Sequence, residues 1–355
     1  MTAATTVHVV VPEGIDDPRR PSGGNTYDRR LCQALESAGW AVHVSEVAGA
    51  WPWAGEKGRD ALEGALRAVP DRSLVLVDGL VVSALPEAVV PACRRLRVVV
   101  LMHMPVGVQA GREGSLMAEC AVLRAASSVV TPSTWCRTWL LASYGLDPAR
   151  VHVAHPGVDA AARATGTEDG GALLCVGAVT PGKGHDLLLA ALARLADLPW
   201  RCACVGALSV APDFVARQRR TARECGLDDR FLLTGPRTGR ELAAAYAEAD
   251  VLVLASRAET YGMVVTEALA RGLPVIAADV GGVPEALGTT ADGTRPGLLL
   301  PPGDVTALAH ALRLWLTDPD LRRALRVAAR WRRPGLEGWS ETADRVGRVL
   351  LEVAS

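Results

Sequence analysis

Short apolar runs of strand length alternate with longer amphipathic stretches from one end of the chain to the other, and no other feature constrains the fold as much. Strands buried on both faces read as continuous apolar runs, and helical returns bring the chain back to the same edge of a parallel sheet. Candidate strands in the first half are Val7–Val11, Val42–Val47, Leu74–Val77, Val98–Met102, Ser128–Thr131 and Val151–Ala154. The second half offers Ala172–Val176, Arg201–Val205, Phe231–Thr234, Val251–Ala255, Pro274–Ala277 and Gly297–Leu300. Two such sets in 355 residues imply an α/β chain of two Rossmann-like, doubly wound domains. The polar, aperiodic stretch Ala160–Gly171 is the expected linker, and a last helix starting near Ser340 could pack on either domain.

A hydrophobic share of 49% excludes a disordered chain, and a formal charge of −1 provides no global field toward nucleic acid or an anionic membrane. The basic stretches Arg217–Arg223 and Arg322–Arg333 read as solvated helix faces. Met1–Thr6 has no basic segment leading into an apolar one, and no apolar run approaches the ~18 residues that span a bilayer. The expectation is a cytoplasmic protein with no stable membrane association and no nucleic-acid partner. Eight cysteines lie scattered in apolar segments without CxxC pairs; Cys202 and Cys204 would share a strand face, as packing residues rather than metal or redox groups. No histidine falls in a zinc-binding spacing, so no metal is expected.

Three loops following candidate strands could carry chemistry. The first ends in Ser22-Gly23-Gly24-Asn25-Thr26 before an expected helix Tyr27–Ala38, where amides could approach an anion or serve as an ordinary cap. The second, Val176-Gly177-Ala178-Val179-Thr180-Pro181-Gly182-Lys183-Gly184, places a lysine between glycines at a helix start, suited to a phosphate or simply solvated. The third runs from Ser256 through Glu259-Thr260-Tyr261-Gly262-Met263-Val264 to Glu267, with a helix expected from Thr260 to near Arg271. Glu259 would stand at the helix start and Glu267 about two turns inside, where sugar hydroxyls are suitable donors and the amides of Tyr261–Val264 suit an anion.

In order along the chain, Gly23-Gly24, His103, Ser133, His155-Pro156-Gly157-Val158-Asp159, the Gly-Lys-Gly loop, the two glutamates, Gly281-Gly282-x-x-Glu285, Gly297–Asp304 and Trp339-Ser340 resemble the retaining glycosyltransferases of family 4. The resemblance covers nearly the whole chain and is most specific from Leu173 to Asp304. It implies the GT-B architecture, with two domains facing across a cleft. An acceptor domain would span 1–160 with a C-terminal helix 335–355 crossing back to it, and a nucleotide-sugar domain would span 161–334.

The resemblance also implies roles. Lys183, with amides at Gly23, Gly24 and Tyr261–Val264, would hold the diphosphate of a nucleoside-diphosphate sugar, a UDP-sugar in preference to a GDP-sugar. Glu259 would bind the donor sugar, Glu267 the ribose, Pro236-Arg237 the base edge, and His103 the transferred sugar. Transfer would proceed on the front face with retention and without a metal, since Asp318-Pro319-Asp320 sits in a helix-to-helix turn. No cofactor other than the substrate is implied. Asn25, Trp51, Trp53 and His103 are candidates for a small polar acceptor, although Trp51 and Trp53 could equally fasten a loop to the core. Ala178 stands where the family commonly has an arginine, so Arg257 or Arg237 would have to compensate. The alternatives are a non-hydrolysing nucleotide-sugar epimerase, or a catalytically impaired, glycosyltransferase-like binding protein.

Overall fold

Every expected apolar run forms a strand in the computed structural model, which describes residues 5–355 apart from Ala54, Ala84, Ala110, Gly111 and Arg112. The first sheet comprises β1 (Thr6–Pro12), β2 (Ala41–Val47), β3 (Leu74–Asp78), β4 (Arg97–Leu101), β5 (Ser128–Thr131) and β6 (Val151–Val153). These strands are parallel in the order β2-β1-β3-β4-β5-β6. β3 and β5, which lie inside it, are buried at every residue, whereas the edge strand β2 keeps His43 and Val44 exposed.

The second sheet comprises β7 (Ala172–Val176), β8 (Arg201–Val205), β9 (Phe231–Gly235), β10 (Val251–Leu254), β11 (Val275–Ala278) and β12 (Gly297–Leu300). It is parallel in the order β12-β11-β10-β7-β8-β9. The chain winds outward from β7 through β8 to β9, returns to the centre as β10 and winds outward the other way. The loops leaving β7 and β10 therefore diverge at the carboxyl edge of the sheet, where open α/β sheets bind ligands. In the first sheet β1 and β3 are the corresponding neighbours.

Two compact units result. The first comprises Met1–Asp16, Gly24–Gly157 and Glu337–Ser355, and the second Asp17–Gly23 and Val158–Leu336. The last helix, Trp339–Ala354, packs on β3, β4 and β5 of the first unit and buries Val346 and Leu350 completely. Trp339 meets Tyr27 edge-on, with 5.6 Å between ring centres, and the Thr342 hydroxyl donates to the His155 carbonyl at 2.8 Å. Gly157 has no alternative residue, because a Cβ there would lie 2.4 Å from the Gly338 backbone.

The linker expectation needs correction. The chain passes between units at Gly157/Val158, and most of Ala160–Gly171 is bound to the second unit. The amides of Thr165 and Gly166 donate to the Ala247 carbonyl, and that of Ala164 to Arg271. Asp250, fully buried as a side chain, accepts from the Thr167 and Ala172 amides and pairs with Arg326 at 2.6 Å. Composition alone reads this segment as a connector because its partners are backbone groups far along the chain. The helix Pro319–Arg332 is likewise more than a solvated basic face: Arg326 joins that network, Arg322 donates to the Trp315 and Leu316 carbonyls, and Arg333, just beyond it, donates to that of Ala270. Among the described residues no helix is long and apolar enough to cross a membrane.

Candidate functional site

The loops leaving β7 and β10 are fastened to one another by backbone approach. Gly184, at φ +68°, lies so close to Ala255 that a Cβ would stand 1.8 Å from its carbonyl oxygen. The Arg257 amide donates to the Gly182 carbonyl at 2.8 Å. Gly281 and Gly282 seat the β11 loop against the same segment: a Cβ on Gly281 would lie 1.7 Å from the Glu259 carbonyl oxygen, and one on Gly282 2.2 Å from that of Thr260. The Gly282 amide donates to the Glu259 carbonyl. These glycines are thus required by close packing of three loops.

That packing brings Lys183 and Glu259 together. The ammonium donates to Glu259 Oε1 at 2.6 Å, and the Ser256 hydroxyl donates to the same oxygen at 2.8 Å. Glu259 is buried, while the Lys183 side chain retains about a third of its exposure. A carboxylate taken out of water needs such donors, and the cation supplies the counter-charge.

Thr260 and Tyr261 are buried, and Tyr261 packs into the apolar core. Gly262 adopts φ +92°, so the helix begins only at Met263 and spans Met263–Ala270, three residues shorter at its start than expected. Val264 and Glu267 lie on it, Glu267 about one turn in rather than two. The Tyr246 hydroxyl donates to Glu267 Oε2 at 2.7 Å, and the Arg271 guanidinium stacks on the Tyr246 ring 4.4 Å from its centre. Burial pushes the Glu267 carboxyl above its ordinary range, against the pull of the Tyr246 hydrogen bond and the Arg271 charge.

Arg257, one candidate to replace the guanidinium missing at Ala178, is committed to Asp186 at 2.7 and 2.9 Å and to the Pro181 carbonyl. Pro236 and Arg237 follow β9, two strands from β7 on the same carboxyl edge. Arg237 is half-buried and forms no ion pair among the described residues.

In the first unit the helix after β1 starts at Gly23, not Tyr27, so Gly23, Gly24 and Asn25 form its first turn. A Cβ on Gly24 would stand 3.2 Å from the His103 ring, which follows β4. One turn further along, Asp28 Oδ1 accepts from His103 Nε2 at 2.8 Å. Asp28 and its neighbour Asp78, at the end of β3, are both buried. Neither was legible in the sequence: single aspartates at a helix start and a strand end are ordinary caps until three strand ends converge. Trp51 donates to the Val47 carbonyl at 3.0 Å and packs on the core, which is the loop-fastening role; Trp53 is 57% exposed.

Among the described residues two clusters each bring three potential ligand atoms within 4.8 Å of one another: Cys175 with His185 and Cys204, and Asp28 with Asp78 and His103. In the former, Cys175 Sγ lies 3.7 Å from His185 Nε2, and hydrogen bonding from Cys204 holds the Cys175 thiol well below its ordinary range. Cys202 and Cys204 share one face of β8 with sulfurs 3.9 Å apart, wholly inside the apolar core. Asp318 caps the helix Pro319–Arg332 through the amides of Asp320 and Leu321.

Two family models match consecutive parts of the chain: "Glycosyltransferase Family 4" over residues 21–162 and "Glycosyl transferases group 1" over residues 160–332. A protein of Catenulispora acidiphila named D-inositol 3-phosphate glycosyltransferase 1 is 35% identical over 262 residues, 66% of this chain and 61% of its own length. A D-inositol 3-phosphate glycosyltransferase of Kineococcus radiotolerans is 35% identical over 259 residues, 65% of this chain and 58% of its own. The chain thus spans about 60% of the length of these curated relatives. Among solved structures, the sucrose-phosphate synthase of Thermosynechococcus elongatus superposes with a TM-score of 0.78 at 24% identity, covering 98% of this chain and 99% of that one. Anabaena HepE in complex with UDP-glucose gives a TM-score of 0.78 at 18% identity with the same coverage. These likenesses establish a shared two-domain fold.

Proposed function

Because the chain belongs to the family 4 glycosyltransferases, we propose that it transfers a sugar, with retention, from a nucleoside-diphosphate sugar to a small polar acceptor. The observation that carries this reading is the Lys183–Glu259 pair at 2.6 Å, set between the diverging loops of the second sheet. In the proposal, a diphosphate takes over the Lys183 ammonium. Glu259, held by Ser256, is then available to accept from hydroxyls of the donor sugar. The cation faces charge that grows on the leaving diphosphate, which is the preorganised electrostatic stabilisation that transfer needs. Lys183 does this without a metal ion. Glu267 is assigned to the ribose, with Tyr246 fixing one of its oxygens, Pro236-Arg237 to the base, and His103 to the transferred sugar. Of the two candidates to offset the arginine absent at Ala178, Arg237 is the one left, since Arg257 is bound to Asp186.

UDP-sugars are the favoured donor class, with GDP-sugars as the alternative; a neighbour of the same fold was solved with UDP-glucose. The relatives' name makes an inositol phosphate the first acceptor to try. The test is nucleotide release from a panel of UDP- and GDP-sugars, with and without D-inositol 3-phosphate and other polyol phosphates. Acceptor-dependent release supports the proposal. Isomerisation of the donor without acceptor indicates an epimerase, and tight donor binding without turnover indicates a binding protein.

A further inference from the structure

The proposed transfer chemistry leaves Asp28 and Asp78, two of the buried carboxyl groups of the first unit, without a task. Asp28 and Asp78 are 2% and 3% exposed. Asp28 Oδ1 accepts from His103 Nε2, while Asp28 Oδ2 is buried and has no partner among the protein's ordinary donors. Asp78 accepts from the Leu80 amide at 2.7 Å through Oδ1, and an oxygen of its carboxyl lies within 4.8 Å of one of Asp28 and of a His103 ring nitrogen. Two carboxyl groups can share a hydrogen bond only if one of them carries a proton. A protonated Asp78 supplies the donor that Asp28 Oδ2 otherwise lacks.

We propose that Asp28 and Asp78 are positioning residues that together hold His103 as a charged imidazolium, Asp28 bonding the ring at Nε2 and Asp78 lending its own proton to the second oxygen of Asp28. The cluster is then neutral as a whole, which a buried site favours. Burial pushes the Asp78 carboxyl upward and the Asp28 charge adds to it, raising it to about 8 against the opposing pull of His103 and the Leu80 amide. Burial alone would lower His103, but the charge and hydrogen bond of Asp28 outweigh it, and the ring is raised to about 9. The helix that carries Asp28 also brings Gly24 and Tyr27 against the ring; the Tyr27 ring centre lies 5.0 Å away, its hydroxyl donates to the Ala154 carbonyl, and the charge of Arg345 acts on it. A ring held in this way cannot accept a proton at neutral pH and serves as a cationic donor. Its consequence for transfer rests on the assignment of His103 to the transferred sugar; its charge state does not.

The test is a titration of the His103 ring nitrogens by NMR in labelled protein, with and without chelator. The wild-type ring should stay charged until about pH 9. Asp28→Asn should bring it below its ordinary 6.5, because burial is then less opposed. Asp78→Asn should leave it within about half a pH unit, since an amide donates to Asp28 much as the protonated acid does. A neutral ring at pH 7 in the wild type, an Asp78→Asn shift as large as that of Asp28→Asn, or a wild-type spectrum altered by chelator would each overturn the proposal. If Asp28→Asn does not fold, the wild-type and Asp78→Asn titrations decide the matter. Transfer should hold steady through neutrality and fall above about pH 9, with that limb moved to lower pH in Asp28→Asn. A shifted titration with an unmoved rate profile would sustain the charge assignment and remove His103 from the transferred sugar.

Discussion

At the scale of single residues, the pairing of Lys183 with Glu259 is both an observed contact and the basis of the proposed chemistry. Lys183→Ala should reduce transfer by about a hundredfold or more, as loss of a cation from a developing charge costs on the order of 3 kcal/mol. A two-fold effect in steady-state kinetics would remove Lys183 from the diphosphate. The aspartate cluster makes a separate prediction about stability. His103, raised from 6.5 to about 9, contributes stability that is complete below about pH 6.5 and lost as pH rises through about 9. Asp78, raised from 3.8 to about 8, keeps its proton in the folded chain over a range where the unfolded chain has lost it, so stability falls with rising pH there too. Each additional proton on the folded state weighs about 1.4 kcal/mol per pH unit, so urea midpoints should decline between pH 6.5 and 9. A constant or rising midpoint over that range contradicts the assignment. Lys183 stood out in the sequence as a lysine between glycines after a strand, but its contact with Glu259, 76 residues on, did not. Asp28 was not legible there, because its partner His103 lies 75 residues away.

At the scale of the element, the short helix Met263–Ala270 separates two carboxylates that the sequence places on one segment. The apolar run of β10 announced the strand before it, but not where the helix begins. That boundary is set by Gly262 at φ +92° and by the close approach of Gly281 and Gly282, and none of these is a property of the helix's own residues. Glu267 therefore sits about one turn into the helix, tied to Tyr246, and the two glutamates should separate functionally. Glu267→Gln should weaken the bare nucleoside diphosphate and the nucleotide sugar alike, by about five-fold to a hundred-fold, the effect of 1–3 kcal/mol from a lost carboxylate acceptor. Glu259→Gln should spare the bare nucleotide and impair transfer. Tyr246→Phe should resemble a milder Glu267→Gln, because it leaves one oxygen of a half-buried carboxyl without its donor. Calorimetric titration distinguishes these outcomes, and equal weakening of the bare nucleotide by both glutamate substitutions would overturn the division of roles.

At the scale of the whole molecule, periodicity revealed two parallel sheets because continuous apolar runs admit few other arrangements. It did not reveal that Ala160–Gly171 is bound to the second unit, since that depends on Asp250 and on carbonyls from other elements. The C-terminal helix completes the first unit over β3, β4 and β5. Val346→Asp, placing a charge at a fully buried position, should lower the melting transition of that unit by more than about 3 kcal/mol of stability, while a transition stabilised by nucleotide persists. A single transition that shifts as one in calorimetry would show instead that the units do not melt separately. The most direct test of the proposed function is calorimetric titration of wild-type and Lys183→Ala protein with UDP- and GDP-sugars in the presence of a chelator. The account predicts that one donor class binds the wild type undiminished by the chelator and binds Lys183→Ala about a hundredfold more weakly, in keeping with a lost charge-assisted contact of about 3 kcal/mol. Equal affinity in both proteins, no binding by the wild type, or binding abolished by the chelator would contradict it.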